Sequence, residues 1–366
     1  MNRSRSLKWL IPALFLLNAC SKDDNPAPRP PEVKPTHGVY VLSEGSFGGN
    51  NTVLSYYDFA MQKTQPFEAD LYRAVNGEGL GDTGNDLLIY GNKMYVVMNV
   101  SSYVAVLDAA TAKRIDSVSF TGAGGKKREP RYAVGAAGKV FVSASDGTVT
   151  VIDTATLTAE KQIRVGNSPE GMAVSGNSLY VANSGWKEAL TGKPYDSTVS
   201  VIDLSTLSET KRIVTGINPR NIQATASGML YVSTSGNYQD VHGKLYVIDG
   251  KTQTLDRTLD RESPLIAISG RTAYLYNTND FSGKATLAVM DTETGDILRE
   301  QFITDGTKVQ SPYGVCIDDS NGDVYITDAR DYTASGEVFC FDKEGKKKFS
   351  FSVRPGVSPN HVAFLR

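Results

Sequence analysis

The residue types able to do chemistry are sparse and scattered in this sequence. There are three histidines (His37, His242 and His361) and three cysteines (Cys20, Cys316 and Cys340). The histidines are far apart, and neither an HExxH zinc helix nor a serine nucleophile elbow is present. An aspartate recurs at the end of apolar runs, at Asp58, Asp108, Asp153, Asp203, Asp249, Asp291 and Asp342. In the clear copies it opens an Asp-x-x-Thr turn, where its side chain bonds the backbone ahead, so these aspartates are read as structural. Gly77-Glu78-Gly79-Leu80-Gly81 lacks the strand-to-helix setting of a dinucleotide loop and is read as a connection. Asp319-Ser320-Asn321-Gly322-Asp323 lacks the distal glutamate of a calcium loop and fits a hairpin turn. No metal site, no catalytic residue and no cofactor is expected from these residues, and the chain is not expected to be an enzyme.

Cys20 has the clearest chemistry. Arg3, Arg5 and Lys8 precede an apolar stretch from Trp9 to Leu17, too short to span a bilayer. Leu17-Asn18-Ala19-Cys20 has the form of a lipobox, so residues 1–19 are predicted to be a lipoprotein signal peptide and Cys20 the lipidated first residue. Residues 20–36 are then a tether, extended by Pro26, Pro28, Pro30, Pro31 and Pro35. The short acidic run Asp23-Asp24 resembles a surface-export signal of Bacteroidota lipoproteins. It implies an outer-membrane protein, lipid-anchored and facing the cell exterior.

Residues 37–366 must hold whatever site the chain has. The net charge of −2 gives no electrostatic case for nucleic acid. A phrase repeats here: an apolar run, a glycine turn, an aromatic-valine strand, a loop, then a strand such as Val149-Thr150-Val151-Ile152-Asp153. Further copies are Val199-Ser200-Val201-Ile202-Asp203 and Leu245-Tyr246-Val247-Ile248-Asp249. Seven aspartate-ended copies recur at about 42 to 51 residues, the length of a four-stranded propeller blade. Glu129-Pro130, Ser168-Pro169, Asn218-Pro219, Ser263-Pro264, Ser311-Pro312 and Ser358-Pro359 mark the start of inner strands, where proline's missing N–H need not pair. Asn85-Asp86 fills that slot in the second repeat.

The prediction is an all-β, seven-bladed β-propeller of four-stranded antiparallel blades. For blade four the strands are Gly171 to Val174, Ser178 to Ala182, Val199 to Asp203 and Glu209 to Val214. Blade one lacks an inner strand, while Ser358 to Phe364 is an inner strand without a blade. The C-terminal strand is therefore expected in the first blade, closing the ring and removing free sheet edges. Cys316 and Cys340 fall two strands apart in one blade, about 9.6 Å by strand spacing. That exceeds the reach of a disulfide, so both are expected to be free thiols.

A propeller's second-to-third-strand loops share one face with the starts of its inner strands, and long loops on a rigid scaffold carry binding sites. Those loops hold Phe47, Tyr103, Trp186, Tyr195, Tyr238, Phe281 and Tyr332, and only the short Ser145-Asp146-Gly147 loop has no aromatic. The residues expected around the channel mouth are Asp86, Arg131, Glu170, Arg220, Leu265, Tyr313 and Asn360. Arg131 and Arg220 suit carboxylate, phosphate or amide oxygens. His361 falls near this mouth and is read first as a structural histidine. Such a ring suits a bulky small-molecule ligand with a flat face and many amide groups, and would also suit a glycan or a protein loop.

Ser168-Pro169-Glu170-Gly171-Met172-Ala173-Val174 and Leu179-Tyr180-Val181-Ala182-Asn183 resemble the YncE-like propeller repeats. Tyr40-Val41-Leu42-Ser43-Glu44-Gly45-Ser46, Leu54-Ser55-Tyr56-Tyr57-Asp58 and Gly79-Leu80-Gly81-Asp82-Thr83-Gly84-Asn85-Asp86 resemble Bacteroidota surface lipoproteins of that superfamily, including the BtuG-type cobalamin-binding proteins. The resemblance implies capture of cobalamin or another corrinoid and its delivery to a TonB-dependent transporter. An adhesion or assembly propeller binding protein or glycan is the alternative class, and a propeller lyase or lactonase is a third.

Overall fold

The computed structural model describes residues 34–279 and 284–366. The signal peptide, Cys20, Asp23, Asp24 and Phe281 lie outside the described residues, as does all of the tether before Lys34. Among the described residues are seven four-stranded antiparallel sheets whose inner strands neighbour one another in a ring. The inner strands are Pro359–Leu365 in blade one, then Gly84–Tyr90, Pro130–Ala136, Pro169–Ser175, Pro219–Ala224, Leu265–Ser269 and Pro312–Asp318 in blades two to seven. Blade one is closed by the C-terminal strand, which pairs antiparallel with Gly38–Ser43.

The alternation of the sequence sets these strands. In blade four, Pro169–Ser175 and Ser178–Asn183 are joined by Gly176-Asn177, with Gly176 at φ 57, a conformation open to glycine without a Cβ penalty. The recurring aromatic of each second strand (Tyr40, Tyr95, Phe141, Tyr180, Tyr231, Tyr274 and Tyr325) is buried between blades. Several of these rings also tie one blade to the next. The Tyr40 hydroxyl donates to the Ala109 carbonyl at 2.8 Å, and that of Tyr180 to the Gly250 carbonyl at 2.9 Å. The strand-end aspartates cap turns: Asp153 Oδ1 accepts from the Ala155 and Thr156 N–H groups, and Asp203 Oδ1 from Ser205 and Thr206. Asp318 to Asp323 is likewise a hairpin turn.

Blade one departs from the repeat. Its outer strand is only Lys63–Thr64, and a helix, Leu71–Asn76, packs beside the strand Val53–Asp58. Asp70 caps that helix by accepting from the Tyr72 N–H at 3.0 Å, and Gly77 ends it at φ 76. A helix this short has no periodicity to detect; the Asp cap and Gly stop were its only signals. Cys316 and Cys340 are free thiols, each registered opposite Tyr325 on the strand between them.

Candidate functional site

The channel mouth on the long-loop face is built by a repeated backbone device. In six blades the inner strand slips register against its neighbour at its first residues. The slip leaves Asn360, Asn85, Arg131 with Tyr132, Glu170 with Gly171, Arg220 and Tyr313 as bulged positions. A β-bulge re-aims side chains, and here it aims them at the axis. Five bulges are preceded by a left-handed residue: Thr83, Glu129, Ser168, Asn218 and Ser358, with φ from 42 to 60. Non-glycine residues rarely adopt this conformation, and its cost is met where surrounding structure holds it. Blade six has no such slip, and Leu265 pairs directly with Tyr276.

The mouth encloses a cavity of about 390 Å³, lined in part by Asn85, Arg131, Tyr132, Arg220, Asn221, Tyr313 and Asn360. Glu170 is fully buried beneath it. Its Oε2 accepts from Arg131 Nε at 3.2 Å and Nη2 at 3.0 Å, while Arg131 Nη1 donates to Asn85 Oδ1 at 2.6 Å. The Arg131 guanidinium also lies 5.8 Å from the ring centroids of Tyr132 and Trp186. Arg131 is therefore held by all three of its nitrogens. Arg220 is less committed: its Nη2 stands 3.7 Å from Glu170 Oε1, and its Nη1 donates to the Tyr238 hydroxyl at 3.3 Å. Burial opposes its charge, but Glu170 and Tyr238 hold the guanidinium more firmly protonated than usual. Burial, with Glu170 next in effect, pushes Tyr132 up to about 12.

On the other side of the mouth the Tyr313 hydroxyl donates to Glu44 Oε2 at 2.7 Å. Burial raises the Glu44 carboxyl above its ordinary range, partly offset by that bond and by Arg131. Asn360 Nδ2 donates to the Gly84 and Asn85 carbonyls, but among the described residues no group donates to Asn360 Oδ1 or to Asn221 Oδ1. Buried acceptors without donors are costly, so both asparagines hold unmet acceptor capacity beside the mouth.

The family described as "Domain of unknown function (DUF5074)" matches residues 37–357. The chain belongs to that family. No curated protein matches the chain. Three solved structures share the fold of this DUF5074 propeller at low identity. A quinonprotein alcohol dehydrogenase-like protein from Bacteroides thetaiotaomicron is 15% identical, covering 90% of this chain and 78% of its own, with a TM-score of 0.66. Hydrazine synthase from Kuenenia stuttgartiensis is 17% identical, covering 71% and 77%, with a TM-score of 0.59. The computationally designed Ika8 protein is 14% identical, covering 85% and 83%, with a TM-score of 0.51. At such identities the likeness is one of fold.

Several residues of this DUF5074 ring sit otherwise than the sequence predicts. Tyr103 is not a loop-tip aromatic. It begins the strand Tyr103–Asp108, packs on the core between blades one and two, and donates its hydroxyl to the Leu80 carbonyl at 2.5 Å. Glu170 is at the mouth but faces the two arginines rather than the opening, as a fully buried carboxylate must. Asp86 lies one residue deeper than expected, and Asn85 takes the bulged place. Gly84 stands where other blades have proline, and that offset was the available signal for Asn85.

Of the loop aromatics, Phe47 is 86% exposed, Tyr238 54% and Tyr332 49%. Tyr195 meets Tyr238 edge-on with centroids 6.5 Å apart, and Tyr332 meets Tyr313 at 5.6 Å. Trp186 begins a short helical turn, Trp186–Ala189, with its Nε1 buried. Gly185 before it, at φ 65, has no room for a Cβ, which would stand 2.2 Å from the Asp196 nitrogen. Among the described residues no group of three or more His, Cys, Asp or Glu is placed to hold a metal ion, and no helix is long and apolar enough to cross a membrane.

Proposed function

We propose that this propeller is a surface lipoprotein that captures a large, amide-rich nutrient on its long-loop face, a corrinoid such as cobalamin first of all, and hands it to a TonB-dependent transporter. One observation supports it most. The mouth combines an incompletely committed guanidinium, Arg220, with the undonated oxygens of Asn221 and Asn360, inside a rim bearing Phe47, Tyr238 and Tyr332. A corrin has a broad apolar face for such a rim. Its peripheral amides offer carbonyls to Arg220 and N–H groups to the two asparagines. The cavity is smaller than such a ligand, so the corrinoid seats across the mouth with its side arms entering. A lipid at Cys20 would hold the ring beside its transporter, and the exposed rim would meet that partner.

The test is titration of the full chain in detergent with cyanocobalamin. The expected result is saturable calorimetric heat at one ligand per chain. Silence there, together with an unchanged absorbance spectrum, overturns the reading.

A further inference from the structure

Blade six breaks the repeat at its outer edge, and the break opens a space between two blades. Its third strand, Lys284–Asp291, is eight residues long, but its outer strand is only Ile297–Arg299 and pairs with Val289 and Met290 alone. In blade four, by contrast, the outer strand Ser208–Val214 pairs along the whole of Thr198–Asp203. Blade six instead sends an irregular connection, Glu300 to Ser311, across to blade seven. Both blades pin it. The Phe302 N–H donates to the Leu287 carbonyl at 2.7 Å and the Thr304 N–H to the Gly345 carbonyl at 2.9 Å. The Gln310 and Ser311 N–H groups donate to the Asp328 carboxylate at 2.9 and 2.8 Å.

This frame bounds a cavity of about 650 Å³, inside the range of roughly 300–1,000 Å³ usual for small-molecule sites. Tyr276 and Leu287 line it from blade six, and Ile326 and Phe339 from blade seven, so each wall carries one aromatic ring. Two cations also line it. Lys308 is exposed and meets no carboxylate among the described residues. Arg330 donates through Nη2 to Glu337 Oε2 at 2.6 Å, and its side chain stays 43% exposed, which leaves other guanidinium N–H groups to give. The acids are already engaged: Glu337 by that pair, and Asp328 by the N–H groups of Gln310, Ser311 and Arg330. Apolar walls with a ring on each side suit a flat aryl body, and unspent cationic donors suit an anion attached to it. We propose that this inter-blade cavity is a second ligand site that takes an aromatic carboxylate, its aryl body against Tyr276 and Phe339 and its carboxylate on Lys308 and Arg330. None of its lining residues lines the channel mouth, so the site stands apart from the corrinoid reading.

The experiment is calorimetry on the full chain held in lipid nanodiscs, with empty nanodiscs as the blank. The probe is 2-naphthylacetate, and 2-naphthaleneethanol is its uncharged counterpart. The unaltered chain should give saturable heat at one 2-naphthylacetate per chain and bind the alcohol about tenfold more weakly, as loss of a charge-assisted hydrogen bond implies. Lys308→Glu should weaken 2-naphthylacetate about tenfold and erase its advantage over the alcohol. Val309→Trp, which fills the cavity from the connection, should abolish binding of both probes. Urea midpoints check that each variant folds, and Thr307→Trp fills the same space if Val309→Trp does not. Absence of saturable heat from the unaltered chain overturns the proposal. So does 2-naphthylacetate binding that persists undiminished in Lys308→Glu and in the cavity-filling variant.

Discussion

The channel's two cavities differ in the way that matters for binding. The one away from the long loops is wider, about 850 Å³ against about 390 Å³, and much of its lining is apolar, with residues such as Leu88, Ala267, Ile268, Val315 and Phe364. Its charges are already engaged. Asp108 caps its own turn, Asp319 accepts from the Ser269 hydroxyl at 2.9 Å, and Arg366 pairs with Asp318 at 3.0 Å. The loop-face mouth is narrower yet holds polar groups that are only partly committed, at Arg220 and at the Oδ1 atoms of Asn221 and Asn360. Specific recognition depends on placed polar groups more than on volume, so the smaller cavity is the better site.

The contrast breaks most sharply at Glu170. Glu170→Ala would leave Arg131 and Arg220 without their shared counter-charge at a buried position, and a loss of about 3–5 kcal/mol is expected in urea unfolding. Ligand binding should fall with it. Arg220→Ala should separate the two roles. Affinity for the captured ligand drops roughly ten- to a hundredfold, in keeping with a charge-assisted hydrogen bond of about 1.5–3 kcal/mol, while the unfolding midpoint falls less than in Glu170→Ala because Arg131 still pairs with the carboxylate.

Tyr313→Phe removes the hydrogen bond to Glu44, at a cost of about 1–3 kcal/mol above neutral pH. It also sharpens a pH dependence. The Glu44 carboxyl is raised in the fold, so the native state favours its protonated form. The stability it contributes is fully present below the ordinary unfolded value of 4.5 and is lost as pH rises through the higher folded value. Without the Tyr313 donor the folded value rises further, so urea midpoints measured from acid to neutral pH should decline over a wider range than in the unaltered chain. The smallest effect belongs to the wide cavity. Asp319→Asn should change ligand affinity by less than about twofold, within the roughly 0.5 kcal/mol usual for surface substitutions.

Period-two alternation, the aspartate-ended third strands and the Xaa-Pro pairs are local signals, and they determine the strands, the blade count and the ring closure through Pro359–Leu365. The same signals placed Arg131, Arg220, Tyr313 and Asn360 at the mouth, because each follows the proline that starts, or directly precedes, an inner strand. What tertiary structure alone decided was depth and partnership. A one-residue bulge moves a side chain between the axis and the blade interior. Only the register shift between Gly84 and Asp86 therefore shows that Asn85 reaches the mouth while Asp86 turns to His361. Likewise, nothing local in the run around Glu170 reveals that arginines from two other blades converge on it. That meeting exists because the ring brings residues 131, 170 and 220, distant along the chain, to a single axis.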